Sequence, residues 1–261
     1  MNYGLYLSAS GVLTNLYRQD VYANNLANAQ TVGFKPDVPA LSYRPVEAVE
    51  DDLGFELSHD LLDRLGGGVF AGDQRIKFTQ SNLEMTGRDL DVALVEPKQF
   101  FVVSAIDAAT NQSSIMLTRD GRFAVNESGE LVTATQGHHV LDRNDAPIQL
   151  GPGPVRVDST GRIFQDGQIV AQLQVSQVND TNGLVKHGQS LFRMAGDNMT
   201  RQVVQGAAVK SRFVENSGTD PIMALMKLID STKSATGNAT MIRYHDLLME
   251  QAVNVLGRVS A

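Results

Sequence analysis

The sequence predicts an α+β fold. Helices at the two chain ends pair as a coiled-coil-like domain, and a central antiparallel β domain lies between them in sequence. Three observations carry this. Near the N-terminus, apolar residues recur every seventh position. Leu5, Val12, Gln19 and Leu26 form one row, and Ala9, Leu16 and Ala23 the other; only Gln19 is polar. Near the C-terminus the same spacing returns, with Leu225, Thr232, Ala239, Asp246 and Val253 beside Leu228, Ala235, Ile242, Met249 and Leu256. Such narrow seams suit a partner helix better than a broad core. Between them, short apolar or alternating runs are separated by turn dipeptides, as in antiparallel β structure.

Residues 1–30 read as helix, stopped by the Asn pair, Thr31 and Gly33. Over 36–80, Pro36, Pro39 and Pro45 forbid a continuous helix and favour extended chain. A short helical turn is expected at His59–Leu65, before the triple glycine Gly66–Gly68. Strands are expected at Leu90–Leu94, Phe100–Ala105, Ile115–Thr118, Arg122–Val125, Leu131–Thr133, Val155–Val157 and Ile169–Val178. AspGly at 120–121 and 166–167 and AsnGly at 182–183 supply the positive φ of tight turns. Asp220 and Pro221 suit the cap and first position of the last helix. Its middle, Ser231–Thr240, is small and polar, and Gly237 costs about 1 kcal/mol against alanine, so a kink or break is expected there. The expected domains are 1–35 with 214–261, a connecting segment 36–85, and a β-rich domain 86–213.

Composition narrows the function classes. Hydrophobic residues make up 42% of 261, enough for a real core. There is no cysteine, which excludes disulfides and thiolate metal sites. The net charge is −7 without a basic cluster, so no nucleic-acid partner is expected. No apolar run reaches a membrane span, and no basic-then-apolar leader opens the chain, so neither membrane insertion nor a cleaved secretory signal is expected.

The stretch AlaAsnAsnLeuAlaAsn at 23–28, followed by ThrValGlyPheLys at 31–35, resembles the N-terminal signature of the bacterial flagellar rod and hook proteins. The likeness continues in LeuAspValAlaLeu at 90–94, in LeuThrArgAspGlyArgPheAlaVal from Leu117 and in ValLysHisGlyGlnSerLeuPhe at 185–192. ValGluAsnSerGly at 214–218 resembles the segment that leads into the family's C-terminal helix. The length fits the rod proteins, proximal or distal. The chain departs from the pattern at Glu96, Pro97, Lys98 and Gln99, where the family carries a glycine turn, at SerGlyThr 217–219, and in the centre of the last helix.

The resemblance implies a structural subunit of the basal-body rod. Such a subunit assembles helically with its own kind into a hollow shaft that spans the periplasm and transmits torque from motor to hook. It implies contacts with other rod and hook proteins, and export through the flagellar type III apparatus. The terminal helices are expected to form the inner tube and the β domain to lie outside. The residues expected at the assembly interface are Leu5, Val12, Leu16, Ala23, Leu26, Leu225, Leu228, Ile242, Met249, Val253 and Leu256.

Chemistry is weighed against this. The five histidines, His59, His138, His139, His187 and His245, have no metal-ligand spacing, and no GlyXSerXGly elbow is present. Asp89 and Asp91 could serve as a carboxylate pair; the motif favours a turn or strand-end acceptor role for Asp91. ArgAspGly at 119–121 reads as a hairpin turn. No enzyme activity and no cofactor are expected. The alternative of another class is a secreted β-domain enzyme or carbohydrate-binding module with helical extensions.

Overall fold

A computed structural model describes residues 3–45, 66–106, 113–188, 190–195 and 200–256. The expected turn at His59–Leu65 lies outside them. Helix α1 spans Tyr3–Ala27, helix α2 spans Pro221–Gln251, and a π-helical turn, Ala252–Leu256, follows α2. Among the described residues, everything regular between the helices is β structure.

The chain forms two compact units, one of 1–26, 37–75 and 221–261, the other of 27–36 and 76–220. This grouping differs from the boundaries read from the sequence. Residues 37–75 of the connecting segment belong with the terminal helices, whereas 27–36, 76–85 and 214–220 belong with the β-rich unit. Specific hydrogen bonds explain the first difference. Ser10 Oγ donates to Val69 O and accepts from Val69 N, so one hydroxyl satisfies both polar groups of a strand residue. Tyr17 donates to Gly72 O, and the Asn25 amide exchanges two bonds with the backbone of Asp37. The prolines here do give extended chain, as an antiparallel ribbon of Leu41–Arg44 with Gly68–Ala71.

In the same unit α1 and α2 run in opposite directions. A Cβ on Gly4 would lie 2.8 Å from His245 Nε2, and one on Gly11 would overlap the Asn238 amide. Further along, Lys227 Nζ sits 5.8 Å from the Tyr22 ring centroid. The buried residues of α2 are Ala224, Ser231 and Ala235, on the stripe that also carries Asn238 and His245. The helices therefore approach through small and polar residues, which permit close backbone contact. The expected break at Gly237 is absent: α2 is continuous through it. Gly237 has open space around it, and Thr232, Thr236 and Thr240 each donate to a carbonyl one turn back. A glycine penalty of about 1 kcal/mol lowers helix stability without breaking it.

The β-rich unit is built on a nine-stranded antiparallel sheet centred on Gln99–Ile106. That strand pairs with Ser113–Thr118, His139–Val140 and Val175–Val178. Because strand side chains alternate between faces, its continuous apolar run feeds two cores. Phe101, Val103 and Ala105 join the larger, with Met116, Phe123 and Leu131. Phe100 and Val102 join the smaller, with Leu117 and Phe192. Phe78, Phe100 and Phe192 meet edge to face at 5.3–5.7 Å, contacts worth about 0.5–1.5 kcal/mol each beyond their burial. The single run expected at Ile169–Val178 is two strands. Gln168–Gln172 closes a three-stranded sheet and Val175–Val178 enters the large one. Leu173 N and Gln174 N turn instead to the carbonyls of Gly161 and Leu141.

Two glycines give a testable contrast. Gly33 has φ 71°, and a Cβ there would sit 2.5 Å from the Arg119 carbonyl carbon. Gly33→Ala is expected to cost about 2–3 kcal/mol. Gly237→Ala, in an open helical position, is expected to stabilise by about 1 kcal/mol. Urea unfolding followed by circular dichroism reads both.

Candidate assembly faces and the buried charge junction

The helix faces come first, because the sequence places the candidate interface there. On α1, Leu5, Val12 and Leu26 are partly buried, while Leu16 and Ala23 are exposed. Leu5, Val12 and Ala23 follow Gly4, Gly11 and Tyr22 by one position, so they lie about 100° around the helix from the side that meets α2. On α2 the two expected rows separate. Leu228 and Ile242 are partly buried along the stripe that carries Ala224, Ser231 and His245. Leu225, Met249 and Val253 are exposed, at 46%, 48% and 72%. Leu256 ends the π-helical turn. Leu16 and Leu225 thus stand exposed to the side of the contact between the helices, while Leu228 and Ile242 line it. Tyr6 and Leu13 on α1 and Ile222, Met226, Ile229, Leu247 and Leu248 on α2 add to the exposed apolar surface.

The second feature is a charge junction that sequence reasoning missed. Glu215 lies six residues before α2, Lys35 eight residues after α1, and Arg119 in the segment that joins Ser113–Thr118 to Phe123–Val125. That segment is a crossing connection instead of the expected hairpin, because these strands pair with others and not with each other. All three side chains are buried to 1% exposure or less. Lys35 Nζ donates to Glu215 Oε1 at 2.6 Å and to Thr79 O at 2.8 Å. Arg119 Nε donates to Glu215 Oε2 at 2.8 Å, and its other nitrogens reach Glu96 O, Gln99 O and Gln80 Oε1. Ser81 N completes the shell of Glu215. Gly33 N donates to Glu215 O and Gly218 N to Phe34 O, so the chain leaving α1 lies beside the chain approaching α2.

Two cations around one carboxylate decide its protonation. Burial pushes the Glu215 carboxyl up, but Arg119 and then Lys35 outweigh burial and hold it below the ordinary glutamate range. Burial also lowers the Lys35 ammonium, and the attraction of Glu215 offsets this only in part. The signal for the junction was present: each member sits in a matched motif, as a charge beside apolar neighbours (Phe34, Leu117, Val214). What sequence alone did not supply was their convergence.

The junction also explains the loop Glu96–Gln99. Its Glu96 and Lys98 side chains are exposed, and the carbonyls of Glu96 and Gln99 face inward onto Arg119. Asp89 is ion-paired to Arg212 at 2.6 Å, whereas Asp91 is buried and its carbonyl accepts from Arg212 N. Arg119 and Asp120 of the ArgAspGly turn are both buried. Among the described residues no group of three or more His, Asp or Glu could hold a metal, and no helix is long and apolar enough to cross a membrane.

Residues 5–35 match the family described as flagella basal body rod protein. The rod protein FlgF of Caulobacter vibrioides is 31% identical over 264 residues, covering all of both chains. The chain belongs to the flagellar basal-body rod protein family. FlgF of Mesorhizobium japonicum is 28% identical over 262 residues, again across both chains, and the rod protein FlgG of Bacillus subtilis is 26% identical over 96% of this chain and 98% of its own. The Lys35 end of the family match coincides with the junction.

The junction yields a stability prediction with a defined sign. Glu215 has a depressed folded pKa, so its contribution is present above the unfolded value near ~4.3 and is lost as pH falls through the folded one. Glu215→Gln is expected to cost about 3–5 kcal/mol at neutral pH, because it strands two buried cations. It should also flatten the acid limb of the stability–pH profile. Chemical unfolding from pH 7 to pH 2 measures both effects.

Proposed function

We propose that this chain is a structural subunit of the bacterial flagellar basal-body rod. It assembles helically with its own copies and with other rod and hook proteins into a hollow shaft. That shaft spans the periplasm and transmits torque from motor to hook, and the subunit reaches it through the flagellar type III export apparatus. Family membership supports the rod. The observation that carries assembly is the exposure of Leu16, Leu225, Met249 and Val253, which the intramolecular helix contact leaves uncovered. A contiguous exposed apolar face is costly on a protein that stays alone and marks an interaction surface.

In this reading the terminal helices carry the contacts between copies. Leu5, Val12, Leu16, Ala23 and Leu26 on α1, with Leu225, Leu228, Ile242, Met249, Val253 and Leu256 toward the C-terminus, are the residues buried on assembly. A coiled-coil-like arrangement arises between helices of neighbouring subunits, using the rows that the small-residue contact leaves over. A head-to-tail contact that does not close into a ring generates a filament. Torque then passes through many simultaneous interfaces, and the chain acts as a building block instead of a catalyst.

Leu16→Asp and Leu225→Asp test this. Each places a charge on a face that becomes desolvated between copies, while both positions are exposed in the isolated chain. Each variant is expected to keep the wild-type unfolding midpoint, because neither position is buried within the chain. Each is also expected to abolish incorporation into rods and swimming. Normal motility of both variants would contradict the proposed interface.

A further inference from the structure

With no cysteine in the chain, methionine thioethers are its only oxidisable sulfur, and they are unevenly placed. Met116 is packed in the β core at 2% exposure. Met223, Met226, Met241 and Met249 all lie on α2 at 48%, 58%, 51% and 48% exposure. Met223 and Met241 are five turns apart on one stripe, and Met226 is one turn along from Met223, some 60° round. They sit among Ile222, Leu225, Ile229, Leu247 and Leu248, which makes them part of the apolar surface of that helix.

We propose that these four methionines form an oxidation-sensitive site that controls whether the chain assembles. The inference rests on the assembly reading above. The co-reactant is a peroxide. The thioether sulfur attacks one peroxide oxygen, the O–O bond breaks, an S–O bond forms, and water leaves after proton transfer. Sulfur loses two electrons and the peroxide gains them. The product, methionine sulfoxide, is a polar, chiral group with a strong acceptor oxygen in place of a flexible apolar one. On an exposed helix this oxygen is hydrated and the fold is unaffected. Between two helices it loses its water, and burying a strong acceptor in place of an apolar thioether disfavours the contact. Oxidation therefore acts on the subunit before assembly, and burial on assembly then shields the sulfurs. Methionine sulfoxide reductases return the thioether, so the block is reversible.

The experiment uses the purified full-length chain, treated with hydrogen peroxide at graded dose. Peptide mass spectrometry gives the order of oxidation, and sedimentation gives the critical concentration for polymer formation. The four helix methionines are expected to oxidise well before Met116. Their oxidation should raise the critical concentration at least tenfold, with an unchanged unfolding midpoint, and reductase treatment should restore it. A chain carrying Met223→Leu, Met226→Leu, Met241→Leu and Met249→Leu is compared with its own untreated sample and should show no response to peroxide. Met85→Leu removes another exposed methionine, on a β strand, and should leave the peroxide response intact. An oxidised chain that polymerises at the untreated concentration overturns the redox site alone. So does a fourfold leucine chain that still responds. An untreated chain that stays monomeric at every concentration overturns the assembly reading and this inference with it.

Discussion

The rest of the structure depends on one carboxylate. Glu215 is buried between Lys35 and Arg119, and the three charges come from segments near opposite ends and in the middle of the chain. A buried charge is tolerable only when it is paired and its remaining valences are satisfied. Here each Oε atom has a cationic donor, and Ser81 N adds a further bond. The backbone follows the charges. Residues 33–34 lie against 215–218, with Gly33 in the left-handed region because the Arg119 peptide leaves no room for a side chain. Such a cluster fixes one register among alternatives more than it adds net stability. In this chain the register it fixes is the pairing of the two segments that adjoin α1 and α2.

This gives the family signature a physical meaning. The AsnAsnLeuAlaAsn stretch ends α1 and turns Asn25 toward the Asp37 backbone, where its amide imitates a peptide group. GlyPheLys then supplies a residue able to take positive φ, a buried ring and a buried cation. The ThrArgAspGly segment supplies the second cation, and Gly121 passes so close to Val92 O that no Cβ would fit. The proline turn at Glu96–Gln99 serves the junction through its carbonyls, which carry no side-chain requirement.

The sequence made most of the fold legible and much less of the sites. Strand runs such as Phe100–Ala105 and Leu131–Thr133 were readable because alternation and turn residues are local signals. Ile169–Val178 was not divided correctly, since the break at Leu173 is set by hydrogen bonds to Gly161 and Leu141, distant in sequence. The heptad rows were real features, but periodicity reports a face and not the partner that covers it. Gly4, Gly11, Ala224 and Ser231 are invisible to a search for large apolar residues, yet they make the contact between the helices. The charge junction was beyond reach for a related reason: Lys35, Arg119 and Glu215 each look like ordinary motif members until the topology brings them together.

A density map of an assembled rod containing this chain, at a resolution that shows side chains, tests the central claim most directly. The account predicts Leu16 and Leu225 buried against neighbouring copies, α1 and α2 still touching at Gly11 and Asn238, and Glu215 still bridging Lys35 and Arg119. A rod in which the Leu16 and Leu225 faces remain in solvent would contradict it, as would one whose copies meet only through the β-rich unit.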